Sequence, residues 1–69
     1  MTEYEKLVWA LQFCHTVEIR EKTTGKEGVA DVSPTGVALF YGKDDGSDDK
    51  IVDIESFNRD FEITVMIQH

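Results

Sequence analysis

Cysteine and basic residues are scarce in this sequence, and each scarcity excludes a class of structure or partner. Cys14 is the single cysteine in 69 residues, so the chain makes no internal disulfide, which favours a reducing compartment or support from oligomerisation. No apolar run approaches the roughly 20 residues of a membrane span. The segment 1–6 also lacks the basic stretch of a signal peptide. We therefore expect a cytoplasmic protein without a membrane anchor.

Acidic residues outnumber basic residues two to one. Seven Lys and Arg stand against fourteen Asp and Glu, for a formal charge of −7 and a pI near 4.5. Binding to nucleic-acid phosphates or anionic lipid depends on clustered Lys and Arg, so this composition disfavours both. It favours a basic protein as partner.

Residues for nucleophilic or metal chemistry are also few. Cys14 and His15 are adjacent, so on a helix their side chains diverge by about 100°, and the sequence places no third group to orient the histidine. One cysteine and two histidines, His15 and His69, do not complete a four-ligand zinc site. A glycine-rich phosphate loop is missing. The sequence predicts a non-enzymatic protein with no metal or cofactor.

The chain length allows one small domain over 1–69. With 41% apolar residues the domain has enough material for a core. Thr2 and Glu5 form a capping-box pattern, which predicts a short helix from near Glu3 to about residue 13. A strand is the alternative, because Leu7, Trp9, Leu11 and Phe13 also alternate with period two.

Five short strands are predicted after this helix. Alternating Val17 and Ile19 and a turn at 23–26 precede a strand over 28–32, and a tight turn at 33–36 leads to another over 37–41. Residues 42–50 are polar and predict an exposed loop before a strand over 51–54. A single helical turn is expected at 56–59. The last strand alternates cleanly, with Phe61, Ile63, Val65 and Ile67 on one half-buried face.

This order of elements over 3–68 resembles the small barrels of the SH3-like and Sm-like kind. The predicted fold class is α+β, a short N-terminal helix followed by a five-stranded antiparallel meander or such a barrel. The Sm-like family binds RNA on rings of subunits. Because this chain lacks the basic, Asn-bearing positions used there, the departure counts against RNA binding.

The segment 31–36 resembles the D-x-S-x-x-G element of PilZ domains, which bind cyclic di-GMP on a small β-barrel. The resemblance implies that Asp31, Ser33 and Gly36 contact a nucleotide. PilZ domains also use an upstream R-x-x-x-R element, and only Arg20 precedes this segment. Turn chemistry alone explains the same residues, because Asp and Ser bond nearby amides and Gly accepts positive φ.

Acidic residues are concentrated in 44–62, where eight acids and two bases give a net charge of −6. Their spacing does not match the calcium ligands of an EF-hand. If they share one side, they attract a basic protein surface and imitate nucleic-acid phosphates, as small phage-encoded nuclease inhibitors do. Solubility is the alternative explanation. The predicted partner-binding acids are Asp44, Asp45, Asp48, Asp49, Asp53, Glu55, Asp60 and Glu62.

Trp9 and Phe13 fall outside the apolar stripe of the predicted helix. If exposed, they form a compact anchor of the residue types that dominate binding hot spots, for a partner or for self-association. Burial of both in the core, on a strand or a shifted helix, is the expectation that we favour. The leading function is a binding module for a basic protein. The alternatives are a nucleotide-sensing domain and a structural subunit of a homo-oligomer.

Overall fold

A computed structural model describes residues 1–42 and 49–68 of the chain. The predicted α+β class is confirmed, with an N-terminal helix, an antiparallel sheet of five strands and a second short helix. The elements are α1 (Glu3–Leu11), β1 (Cys14–Glu21), β2 (Glu27–Ser33), β3 (Gly36–Phe40), β4 (Lys50–Val52), α2 (Ile54–Asp60) and β5 (Phe61–Gln68).

The strand order in the sheet is β4-β3-β2-β1-β5. The first four strands form a meander, and β5 returns to pair with β1 between Cys14 and Glu21. Both β4 and β5 are therefore edge strands, and the sheet stays open rather than closing into the barrel that was one of the two predicted arrangements. Closure requires β5 to pair with β4, and β4 offers only three residues.

The N-terminal helix begins where the capping box predicts. The amide of Glu5 donates to Thr2 Oγ1 at 3.1 Å, and the amide of Thr2 donates to Glu5 Oε1 at 2.9 Å. These reciprocal bonds satisfy two amides that the first turn leaves free. The helix ends at Leu11, about two residues earlier than predicted, because the chain turns at 12–13 to enter β1.

The core lies between the sheet and the two helices, which pack on the same face. The predicted helical turn is a longer helix, α2, which buries Phe57 completely. The rings of Phe57 and Phe61 stack with centroids 5.7 Å apart. The buried residues are Leu7, Ala10, Cys14, Val17, Ile19, Ala30, Val37, Leu39, Phe57 and Phe61.

One irregularity in β5 decides which side chains reach this core. Ile63 pairs with Ile19 and Val65 pairs with Glu18, so the register shifts at Thr64. Residues on either side of such a bulge lose the simple alternation of a strand. The prediction of one half-buried face is therefore wrong beyond Ile63. Val65 and Ile67 lie on the opposite side of the sheet, where they are 44% and 42% exposed.

Candidate interaction surface

One side of the sheet carries both helices, and within the described residues the other side carries no helix. We call this second side the open face. Phe40, Val29, Glu18 and Val65 are directly paired there, one from each of β3, β2, β1 and β5. Directly paired residues of antiparallel strands point to the same side. They form one row across four strands, with an apolar residue at each end.

Two further sets of residues flank this row. On one side Glu27, Arg20 and Glu62 are paired in a charged row across β2, β1 and β5. On the other side the open face is mainly apolar again, with Ile51 58% exposed and Ile67 42% exposed. The remaining members of this second flank are Thr16, Asp31 and Ala38.

A shallow hollow of about 340 Å³ lies at the β2–β3 end of the row. Val29 and Phe40 give it an apolar lining, and Glu18 and Glu27 are acidic residues of the same lining. Such a lining suits a side chain with an apolar stem and a cationic head. The lining residues are Glu18, Glu27, Gly28, Val29, Phe40, Tyr41 and Gly42.

Gly28 and Tyr41 pack against each other on the helix side of the sheet, since Gly28 pairs with the buried Ile19 and Tyr41 packs against the core. A Cβ at Gly28 would lie 2.5 Å from the backbone oxygen of Phe40 and 2.9 Å from Cδ1 of Tyr41. A larger residue therefore displaces the strand or the ring. The Nζ of Lys26 lies 4.5 Å from the centroid of the Tyr41 ring, a cation–π distance. Glycine thus allows the aromatic ring to pack closely against β2.

The open face is negative overall. Arg20 donates from Nε to Glu62 Oε1 at 2.9 Å, and a second bond runs from its Nη2 to the same oxygen. This hydrogen bonding with Glu62 raises the pKa of the Arg20 guanidinium, so Arg20 stays charged. Among the described residues of this face, four carboxylates stand against this one cation, those of Glu18, Glu27, Asp31 and Glu62.

The predicted partner-binding acids do not share one side of the described structure. Glu62 lies on the open face, whereas Asp53 and Glu55 lie at the start of α2, on the side of the helices. Asp60 accepts from Arg59 Nε at 3.0 Å, which lowers the pKa of that carboxyl. A single row of carboxylates is therefore not formed by these four. Asp44, Asp45 and Asp48 lie outside the described residues.

Asp49 is the remaining member of the predicted acidic set. It is exposed, and its Oδ1 accepts a hydrogen bond from the backbone amide of Tyr41 at 3.3 Å. The calcium hypothesis for this segment depends mainly on residues outside the described part. Among the residues that the structure describes, no group of three or more His, Cys, Asp or Glu is placed to hold a metal ion.

Trp9 and Phe13 are exposed, so the expectation of burial is wrong. Their side chains are 53% and 54% exposed, and their ring centroids lie 5.2 Å apart at an interplanar angle of 51°. The reason is helical geometry, since Leu7 and Ala10 take the inward positions of α1 and leave Trp9 on the opposite side. Cys14, in contrast, is buried in the core.

The segment that resembles the PilZ element comprises the end of β2, the tight turn at 34–35 and the first residue of β3. Asp31 Oδ1 accepts from the amide of Val32 at 2.8 Å, and Ser33 Oγ accepts from the amide of Thr35 at 3.3 Å. A Cβ at Gly36 would collide with the backbone oxygen of Val52. Asp31 and Ser33 thus have the local role that the turn interpretation predicts, whereas Gly36 is required by its close approach to Val52 of β4. Nucleotide binding at this turn stays a prediction.

Fold and surface together define a small α+β domain with one sheet face covered by helices and one open. No family model, no curated protein and no solved structure matches this chain. The likenesses to small barrels and to PilZ domains therefore extend no further than element order and six residues. Neither helix in the described part of the chain is long and apolar enough to cross a membrane.

Proposed function

We propose that this protein is a non-enzymatic interaction module that holds a basic segment of a partner protein against its open face. The hollow between Glu18, Glu27, Val29 and Phe40 is the observation that carries this proposal. A Lys or Arg side chain combines an apolar stem with a cationic head. The stem would lie on the apolar lining while the head meets the two carboxylates.

Charge favours a basic partner at long range as well. The net charge of −7 attracts cationic surfaces and speeds encounter with them. Exposed Asp49, Asp53 and Glu55, from the acidic region 44–62, add to this field. Val65 and Ile67 offer apolar area at the opposite end of the open face, on β5, so the matching surface on the partner has apolar residues among its Lys and Arg.

A defined basic peptide tests the proposal directly. We expect a synthetic peptide of alternating Lys and Leu to shift the ¹⁵N–¹H resonances of β1 and β2 near Glu18, Glu27 and Val29. A peptide of alternating Glu and Leu serves as the control and should cause no shift. Binding should weaken as salt rises, since screening reduces attraction between exposed charges. No shift with the Lys peptide, or equal shifts over the whole domain, would overturn the proposal.

Two charge-matched double variants localise the binding. The double variant Glu18→Lys, Glu27→Lys reverses the charge of two side chains on the open face. It should weaken peptide binding by about tenfold or more, because two close charge pairs become repulsive. Asp53→Lys with Glu55→Lys makes the same change in net charge on the side of the helices. This second variant should lose only the smaller, long-range part of the attraction. Equal losses in both variants would contradict docking on the open face.

The same variants serve as baits with cell lysate. A partner that uses the open face is retained by the wild-type domain and by the Asp53→Lys, Glu55→Lys bait at low salt, and is lost from the Glu18→Lys, Glu27→Lys bait. Its sequence should carry a basic segment with apolar residues. Retention of one protein on all three baits would show that it binds elsewhere.

A further inference from the structure

The second half of β5, residues 64–68, is exposed on both of its sides. Val65, Met66 and Ile67 are 44%, 40% and 42% exposed. Successive side chains of a strand point to opposite faces, so three consecutive exposed apolar residues leave apolar area on each side of the sheet. A run of this kind is unfavourable in water unless something covers it.

The outer edge of β5 is protected in its first half only. The backbone amide of Ile63 donates to Glu3 Oε2 at 3.0 Å, so a side chain from α1 satisfies this edge group. From Thr64 to Gln68 the strand has no charge and no proline. Natural edge strands avoid association by being short, by bulges that twist the edge away, or by carrying charges, especially Lys, or proline. In β5 the bulge lies at Thr64, and Val65 to Gln68 beyond it have no charge and no proline. The opposite edge, β4, has three residues and begins with Lys50.

We propose that a second copy of this chain pairs with this half of β5, giving an antiparallel two-fold dimer centred on Met66. Paired residues must point to the same face, so the two-fold axis passes through a residue position. Centring on Met66 uses all of 64–68 and leaves the bond between Ile63 and Glu3 intact. It places Val65 opposite Ile67 of the second copy on the open face, and Met66 opposite Met66 of the second copy.

The absence of charge in residues 64–68 is the reason why we assign a second copy of the chain to this edge. Two molecules of charge −7 repel each other over most of their surfaces. The uncharged half of β5 lets two copies meet without placing like charges opposite one another. The contact joins the two sheets side by side, so Val65 and Ile67 of both copies become neighbours.

The dimer contact through β5 is small, so we expect it to be weak. Five residues from each strand bury less than the roughly 1,200 Å² of a stable interface, so we expect a dissociation constant in the micromolar range or weaker. The hollow on the open face stays accessible in the dimer. This inference is independent of the proposed function, because it rests on β5 and not on Glu18 or Glu27.

Sedimentation velocity over a range of protein and salt concentrations tests the dimer. Wild-type protein should shift from monomer to dimer with rising concentration, and higher salt should strengthen the dimer by screening the repulsion between copies. Binding of the basic peptide changes with salt in the opposite direction. The Glu18→Lys, Glu27→Lys variant should still dimerise. The two proposals can therefore fail separately.

Variants at the two-fold axis test the register. Met66→Lys and Met66→Glu each place like charges opposite one another, so each alone should be monomeric. A one-to-one mixture of the two should form a heterodimer through opposite charges. Val32→Lys, a charge placed at a 43% exposed apolar residue of the inner strand β2, is the matched control and should dimerise at least as well as wild type. Circular dichroism and thermal unfolding establish that each variant is folded.

Amide hydrogen exchange gives a second measurement that requires no variant. Exchange at 64–68 should slow as wild-type concentration rises, while exchange around Trp9 stays unchanged. A wild-type protein that is monomeric at about 1 mM in high salt would overturn the inference. Dimerisation of Met66→Lys as strong as that of wild type would overturn it too, as would a mixture of the two Met66 variants that stays monomeric.

Discussion

The carboxylate of Glu3 accepts a hydrogen bond from the backbone amide of Ile63, with Oε2 3.0 Å from the nitrogen. Its other oxygen, Oε1, accepts from Lys6 Nζ, also at 3.0 Å. One side chain at the start of α1 thus satisfies an amide of the edge strand β5, 60 residues further along the chain. The bond fixes the position of α1 along β5 and marks where the protected part of that edge ends.

Removing the charge of Glu3 should destabilise the domain more than removing that of Glu5. Glu3→Gln weakens a charge-assisted hydrogen bond to Ile63 and removes the ion pair with Lys6, for a loss of about 1 kcal/mol in the free energy of unfolding. Glu5→Gln makes the same charge change in the same helical turn, but glutamine retains the capping box. Urea unfolding at pH 7 compares the two. Equal losses would mean that the bond to Ile63 contributes nothing beyond helix-end charge.

The contribution of Glu3 should disappear in acid. Partial burial favours a higher pKa of Glu3, but the hydrogen bonds from the Ile63 amide and the Lys6 ammonium outweigh it and hold the pKa below its ordinary 4.5. A pKa lowered in the folded state stabilises the fold above the unfolded pKa, and this stabilisation is lost as pH falls through the folded value. The difference in unfolding free energy between wild type and Glu3→Gln should be full at pH 7 and shrink below pH 4.5. A difference that persists unchanged at pH 3 would contradict this.

Arg20→Gln should change stability and binding in opposite directions. The pair with Glu62 is exposed, and exposed ion pairs contribute little, so the fold should be only slightly less stable. The charged row of the open face loses the cation that lies between Glu27 and Glu62, so affinity for the Lys and Leu peptide should rise by about threefold. Arg59→Gln, at the ion pair with Asp60 in α2, is the control and should affect peptide affinity less. Weaker peptide binding by Arg20→Gln would contradict the placement of the partner on this face.

Trp9 reports separately on the helix surface, because it is the only tryptophan in the chain. We expect emission typical of an exposed indole, efficient quenching by acrylamide, and no spectral shift as β5 pairing proceeds. Replacing Trp9 or Phe13 with alanine should cost about 1 kcal/mol or less each. Leu7→Ala, on the buried side of the same helix, should cost about 2–5 kcal/mol. A blue shift with rising protein concentration would show that the pair of Trp9 and Phe13 lies in the interface instead.

Local signals in the sequence predict local structure well in this chain. The capping box at Thr2 and Glu5 predicts the start of α1, and the turn residues at 33–36 predict the hairpin between β2 and β3. Alternation predicts β5 itself. Each of these signals depends on residues a few positions apart, whose backbone geometry and hydrogen bonds are set by near neighbours.

Signals between near neighbours in the sequence did not predict the open face. Glu18, Glu27, Val29 and Phe40 carry no motif, and they meet only because β1, β2 and β3 pair in one register. The bulge at Thr64 moves Val65 and Ile67 to the open face, and no turn residue marks it. The acids of 53–62 are close together in sequence, yet α2 and β5 carry them to different sides of the sheet.

By itself, then, the sequence determined the α+β class, the start of α1, the two tight turns and the excess of negative charge, since these follow from composition and short-range periodicity. The tertiary structure alone decided that the sheet stays open, that β5 pairs with β1, and which apolar residues stay exposed. Those outcomes depend on strand pairing between residues as far apart as Cys14 and Gln68. A shift of one residue in that pairing exchanges the two faces of a strand, and periodicity along a single strand does not specify it.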